Sequence, residues 1–135
     1  MNNRSKFRVR DVKNKKFLPE SYFAILGNGK LIVTLSGYYN DFTNTNQDDY
    51  VIQQYTGLTD ENDKEIYEGD ILMYKTGSIP TTGVIGQVLY EADEGGYIFQ
   101  WERKGPNQHH INLNCDVAFE SVIVGNIFEH SELLK

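Results

Sequence analysis

Residues 54–71 read Gln-Tyr-Thr-Gly-Leu-Thr-Asp-Glu-Asn-Asp-Lys-Glu-Ile-Tyr-Glu-Gly-Asp-Ile. Two strand-like segments flank a polar turn, and a glycine sits in or beside each arm. Such a pattern specifies a hairpin, because Asp and Asn favour turns and disfavour helix interiors. Gly57 and Gly69 suit positions where φ is positive or a side chain would clash. Tyr67 and Ile71 are spaced to anchor the turn on a core. Asp70 is expected to bond backbone N–H groups and so to be structural.

The rest of the chain follows the same rhythm. Ser5 to Arg10 alternates polar and apolar residues, which predicts a strand with Phe7 and Val9 inward and Lys6, Arg8 and Arg10 on the other face. Lys16-Phe17-Leu18 returns from a turn and is stopped by Pro19. Residues 22–35 read as a hairpin about Gly27-Asn28-Gly29, although Tyr22 to Leu26 also fits one helical turn. Further strands are predicted at 50–55, 71–74, 83–90, 97–101, 109–113 and 122–128. Thr56 to Lys64 reads as the turn between the first two of these. Helix is sparse, with one short turn after Ser131. Short strands joined by Gly-rich turns predict a mainly β fold, a small barrel or roll. We expect one domain over residues 1–135: N-terminal hairpins and a polar loop over 1–53, and the barrel or roll over 54–135. The polar stretch 36–49 is the longest loop, and Tyr38, Tyr39 and Phe42 give it rings to bury or to offer a partner.

A chain of 135 residues can bury a core without a disulfide or metal. No apolar run approaches the ~20 residues of a membrane span. Met1 to Lys6 has no apolar core behind it, which reads as no secretory leader. The single cysteine, Cys115, cannot form an internal disulfide. These features point to the cytoplasm. Net charge is −6, but unevenly spread: residues 1–16 hold seven basic side chains and one acid, while the other 119 residues hold six basic and 18 acidic ones. The basic arm reads first as a hairpin facing solvent or neutralising the acidic body. Its sharper reading is a nucleic-acid contact through Lys6, Arg8 and Arg10. The acidic body weakens long-range steering toward phosphate.

No catalytic pattern stands out. Asp60-Glu61-Asn62-Asp63-Lys64-Glu65 resembles the start of a calcium loop but has Lys64 at the fifth position and Glu65 where glycine is required. It reads as a solvated hairpin turn. His109 and His110 are strand neighbours pointing to opposite faces, so they cannot easily share a metal. Cys115 has no second ligand pair at zinc spacing and no activating context, so it reads as a buried or idle thiol. No cofactor is implied. Tyr97, Phe99 and Trp101 share one strand face and read as core, with Trp101 and nearby Arg103 best placed to reach a surface.

The 54–71 run resembles the signature of the YopX family. There, a Tyr-Thr-Gly-Leu stretch leads through a turn into Lys-Glu-Ile-Tyr-Glu-Gly-Asp-Ile, matched here by Tyr55 to Leu58 and Lys64 to Ile71. Lys6-Phe7-Arg8, Val124 to Glu129 and Glu132-Leu133-Leu134 match as well. Two turns depart from the pattern: Asn62-Asp63 replaces Asn-Gly, and His130-Ser131 replaces Asn-Pro. The resemblance implies a phage- or prophage-encoded protein with a Src-homology-3-like roll in its second half. The family has no assigned catalytic residues to carry over.

The reading that follows is a non-enzymatic accessory protein that binds a protein partner or itself. A nucleic-acid binder is the alternative, and an enzyme using His109 or His110 with Asp116 is the third. Candidate partner-binding residues are Lys6, Arg8, Arg10, Tyr38, Tyr39, Trp101 and Arg103.

Overall fold

The computed structural model describes residues 6–34, 45–75, 83–102 and 108–134. It is mainly β, as the short alternating segments predict. Two compact units emerge, one of residues 7–53 and one of Lys6 with the residues from Gln54 onward. Tyr38, Tyr39, Phe42 and Arg103 lie outside the described residues.

In the 7–53 unit, β1 (Phe7–Asp11) turns into β2 (Lys16–Phe17), with Arg10 opposite Phe17. The Asp11 carboxylate holds the turn by accepting the Asn14 backbone N–H at 3.0 Å and the Asn14 side-chain N–H at 2.8 Å. A 3-10 turn at Glu20–Tyr22 leads into β3 (Phe23–Ile25), which pairs with β4 (Leu31–Val33). Of the Gly27-Asn28-Gly29 turn, only Gly29 takes a positive φ, +84°. A second 3-10 turn, Gln47–Asp49, opens β5 (Tyr50–Thr59), and β1 lies between β2 and the start of β5. Val9, Leu31 and Val33 form the core, flanked by Leu18, Phe23, Ile25, Tyr50 and Ile52.

The other unit contains the end of β5, β6 (Glu65–Tyr67), β7 (Asp70–Tyr74), β8 (Val84–Glu91), β9 (Gly96–Glu102), β10 (Gln108–Asn112) and β11 (Ser121–Asn126). Five strands make an antiparallel sheet in the order β10-β9-β8-β7-β11. Its inner face carries Leu72, Val88 and Phe99, which pack with Ile66, Leu113, Val117 and Ala118. The sheet is tightly curled at Gly86, where a Cβ would stand 2.4 Å from the Gln100 carbonyl oxygen and 2.9 Å from the Phe99 ring. The Tyr97-Phe99-Trp101 stripe therefore faces a core, with Phe99 fully buried.

One short helix, α1 (Cys115–Phe119), was not expected from the sequence. The Asn114 side chain caps it by accepting the Val117 N–H at 3.0 Å, and Val117 and Ala118 fill the core. Cys115 is free and exposed, so of the expected buried or idle thiol the buried alternative falls away. After β11, the Asn126 side chain accepts the N–H groups of Phe128 and Glu129, each at 3.0 Å. The His130 ring packs on Gly125 and its Nδ1 accepts the Asn126 N–H at 3.2 Å. A 3-10 turn at Ser131–Leu134 follows, where the sequence placed one. Among the described residues, no helix is long and apolar enough to cross a membrane.

Candidate functional site

The signature run folds as a bulged hairpin. Tyr55 pairs with Tyr67 and Thr59 with Glu65, so three residues of β5 stand opposite Ile66 alone. The strand continues to Thr59 rather than turning at Thr56, as the sequence had predicted. Gly57 makes the bulge possible with φ +88°. The buried Thr56 hydroxyl closes it, donating to the Ile66 carbonyl at 2.8 Å and accepting the Leu58 N–H at 3.2 Å. Leu58 and Ile66 are thereby delivered to the core. The Tyr55 and Tyr67 rings pack with centroids 5.6 Å apart. Gly69, at φ +86°, lets the chain reverse into β7, and the buried Asp70 carboxylate accepts the Tyr67 N–H at 2.8 Å. Tyr55, Thr56, Gly57, Leu58, Ile66, Tyr67, Gly69 and Asp70 are thus accounted for by packing or backbone geometry.

The turn of this hairpin is more than a solvated connection. Glu61 to Lys64 are exposed, but Asp60 is 1% exposed. Asp60 Oδ1 accepts the N–H groups of Asn62 at 2.9 Å and Lys64 at 3.0 Å, while Oδ2 accepts the Ile123 N–H at 3.0 Å. Glu61 N–H donates to the Ser121 carbonyl at 2.9 Å. The turn thus lies along the outer side of β11 and satisfies groups that a sheet edge would leave bare.

Among the described residues, the opposite edge of the sheet is open. Leu113 N–H donates to the Tyr97 carbonyl at 3.0 Å, so the alternation of an antiparallel ladder points the bonds of Ile111 and His109 toward β9. The backbone groups of Gln108, His110 and Asn112 point the other way. Among the described residues, none of those groups meets a backbone partner beyond the β10–β9 ladder. No residue of β10 carries an acidic, lysine or arginine side chain. His110 is exposed, and its Nε2 lies 3.2 Å from Glu94 Oε1. On the inner face the His109 ring stacks on Trp101, with centroids 5.9 Å apart, and Ile111 is half-buried.

A family model described as YopX protein matches residues 6–135. The chain belongs to the YopX family. A crystal structure of protein EF1440 from Enterococcus faecalis is similar to it, with TM-score 0.63 and 24% identity over 96% of this chain and 97% of that one. At that identity the likeness bears on the β fold alone. No curated protein matches the chain.

In this YopX-family chain the basic strand does not form a free cationic face. Lys6 Nζ pairs with Glu65 at 2.7 Å. Arg8 Nε donates to the buried Gln53 side chain at 2.7 Å, and its guanidinium lies 4.6 Å from the Phe17 ring centroid. Arg10 was expected on the outer face but is 4% exposed, with its guanidinium 5.0 Å from the same ring. The cause is the cross-strand pairing of Arg10 with Phe17, which lays the cation on an aromatic face. Lysines exposed on this hairpin are Lys13, Lys15 and Lys16, at its turn. Trp101 is half-buried between Phe99 and His109. His109 and His110 point to opposite faces and do not converge on a common site. Among the described residues, no group of three His, Cys, Asp or Glu side chains could hold a metal ion.

The sequence reading missed the β10 edge because edge position is a property of strand order. Its one local signal was five residues without a charge between turn segments.

Proposed function

We propose that this chain is a non-enzymatic binding module that takes a strand of a protein partner onto the edge of β10. In this reading it is a phage- or prophage-encoded accessory protein that works in the cytoplasm of a bacterial host. The curled β sheet is then the Src-homology-3-like roll that the family resemblance implies, used as a scaffold for recognition. One observation carries the reading: among the described residues, the outward backbone groups of His110 and Asn112 meet no backbone partner, on a strand without an acidic, lysine or arginine side chain. Natural sheets blunt such edges with lysine, proline, bulges or covering segments. Here the far edge is covered by the Asp60 turn, whereas among the described residues β10 has none of those devices. Strand addition draws affinity from main-chain hydrogen bonds and specificity from neighbouring side chains. Half-buried Trp101, His109 and Ile111 line the inner side of this edge.

Affinity capture from host cells tests the proposal, run with and without nuclease and with His110→Pro alongside. The expected result is a protein retained by the wild type, insensitive to nuclease and lost by the variant. Proline removes one outward N–H, a change that edge strands tolerate. Equal capture by the variant, or recovery only of nucleic acid, would overturn the reading.

A further inference from the structure

We infer that the strand added to β10 is the β10 of a second copy, paired antiparallel about a twofold axis at His110. This rests on the strand-acceptor reading of the edge and names its occupant. Three outward-facing positions, Gln108, His110 and Asn112, are spaced two apart. Among antiparallel registers, the one centred on His110 engages all three. It sets His110 against His110 of the other copy and Asn112 against Gln108, so every outward N–H and C=O finds a mate. On the inner face it sets His109 beside Ile111 of the other copy, covering an apolar side chain that is left half-exposed.

The composition of β10 admits a second copy, and its register and inner face fit one. The chain carries −6, so like charge opposes self-association over the molecule as a whole. β10 is a stretch where self-contact brings no acid against acid within the strand. Glu94 reaches His110 from the 3-10 turn Ala92–Glu94, so each acid lies beside an imidazole. An interface of five-residue strands is small, so the dimer is weak, with Kd roughly micromolar. Isologous pairing also closes this edge of the five-stranded sheet.

The test uses the purified full chain. Light scattering during size exclusion, over a concentration series, should show a mass moving from 15.5 kDa toward twice that value. His110→Pro should remain monomeric at every concentration, with circular dichroism unchanged. His110→Cys in a Cys115→Ser background should crosslink on mild oxidation, because the axis brings the two thiols face to face. His109→Cys in the same background stands on a diagonal and should not. A wild type monomeric throughout would overturn the inference. So would a dimer that survives His110→Pro, or equal crosslinking at both positions. Loss of a different captured protein with His110→Pro, alongside a monomeric wild type, would sink the second copy and leave the acceptor edge standing.

Discussion

Asp60 accepts the backbone N–H of Ile123 across 63 positions of sequence, at 3.0 Å. Through that bond the tip of one hairpin covers the edge of the sheet to which β11 belongs. The same carboxylate also holds its own turn through Asn62 and Lys64. One buried anion therefore couples a local turn to a distant strand. The contrast with β10 follows directly, since no comparable group meets that edge among the described residues.

Replacing Asp60 with Ala should destabilise the fold by about 3 kcal/mol, because three backbone N–H groups lose a charged acceptor. Asp60→Asn keeps one acceptor oxygen and should cost about half as much. Urea unfolding measures both. An effect below ~1 kcal/mol for Ala would mean that water replaces the carboxylate easily. The Ala variant should also aggregate more readily, since the edge of β11 is uncovered.

The sequence made strand positions legible from alternation in β1 and β9 and from short runs between turns in β7 and β8, and it marked Gly57 and Gly69 as special. Both adopt positive φ. It mistook Asp60 for a solvated residue because the group that buries it, Ile123, is remote in the chain. Arg10 takes the face that alternation gives it, beside Arg8, but Phe17 covers that side of β1 and the side chain is buried there. α1 escaped notice because five residues show no helical period; the Asn114 cap was its only mark. An open edge depends on strand order, which local pattern does not encode.

Asp63 occupies φ +63°. The family pattern places glycine there, and glycine visits this region without the Cβ penalty. Asp63→Gly should therefore raise stability by about 0.5 kcal/mol, the relief of strain exceeding the added chain entropy. A rise of ~2 °C in Tm is the expected reading. A fall would show that the aspartate supports the turn in another way.

The bulge in β5 makes a paired prediction. Thr56→Val preserves shape but leaves the Ile66 carbonyl and Leu58 N–H without the hydroxyl, and should cost about 2 kcal/mol. Gly57→Ala forces a side chain to φ +88° and should cost about 1–2 kcal/mol. Because both act on the same bulge, the double variant should lose less than the sum. Full additivity in a double-mutant cycle would argue that the two residues act independently.

Glu68 gives the fold a pH dependence of defined sign. Burial pushes its carboxyl above the ordinary carboxylate range, partly opposed by a backbone hydrogen bond from Gln54. The folded state therefore holds this proton more tightly than the unfolded chain does. Between the ordinary carboxylate pKa and the raised folded value, the native state binds more protons, so this residue's contribution to stability falls as pH rises. Below that window both states are protonated and the contribution is constant. Glu68→Gln removes the ionisation and keeps an acceptor oxygen. The variant should gain stability relative to wild type as pH is raised from about 4 to 7, with no such gain at lower pH. Urea unfolding of both chains across this range provides the measurement, and a difference that shrinks with rising pH would reverse the assignment.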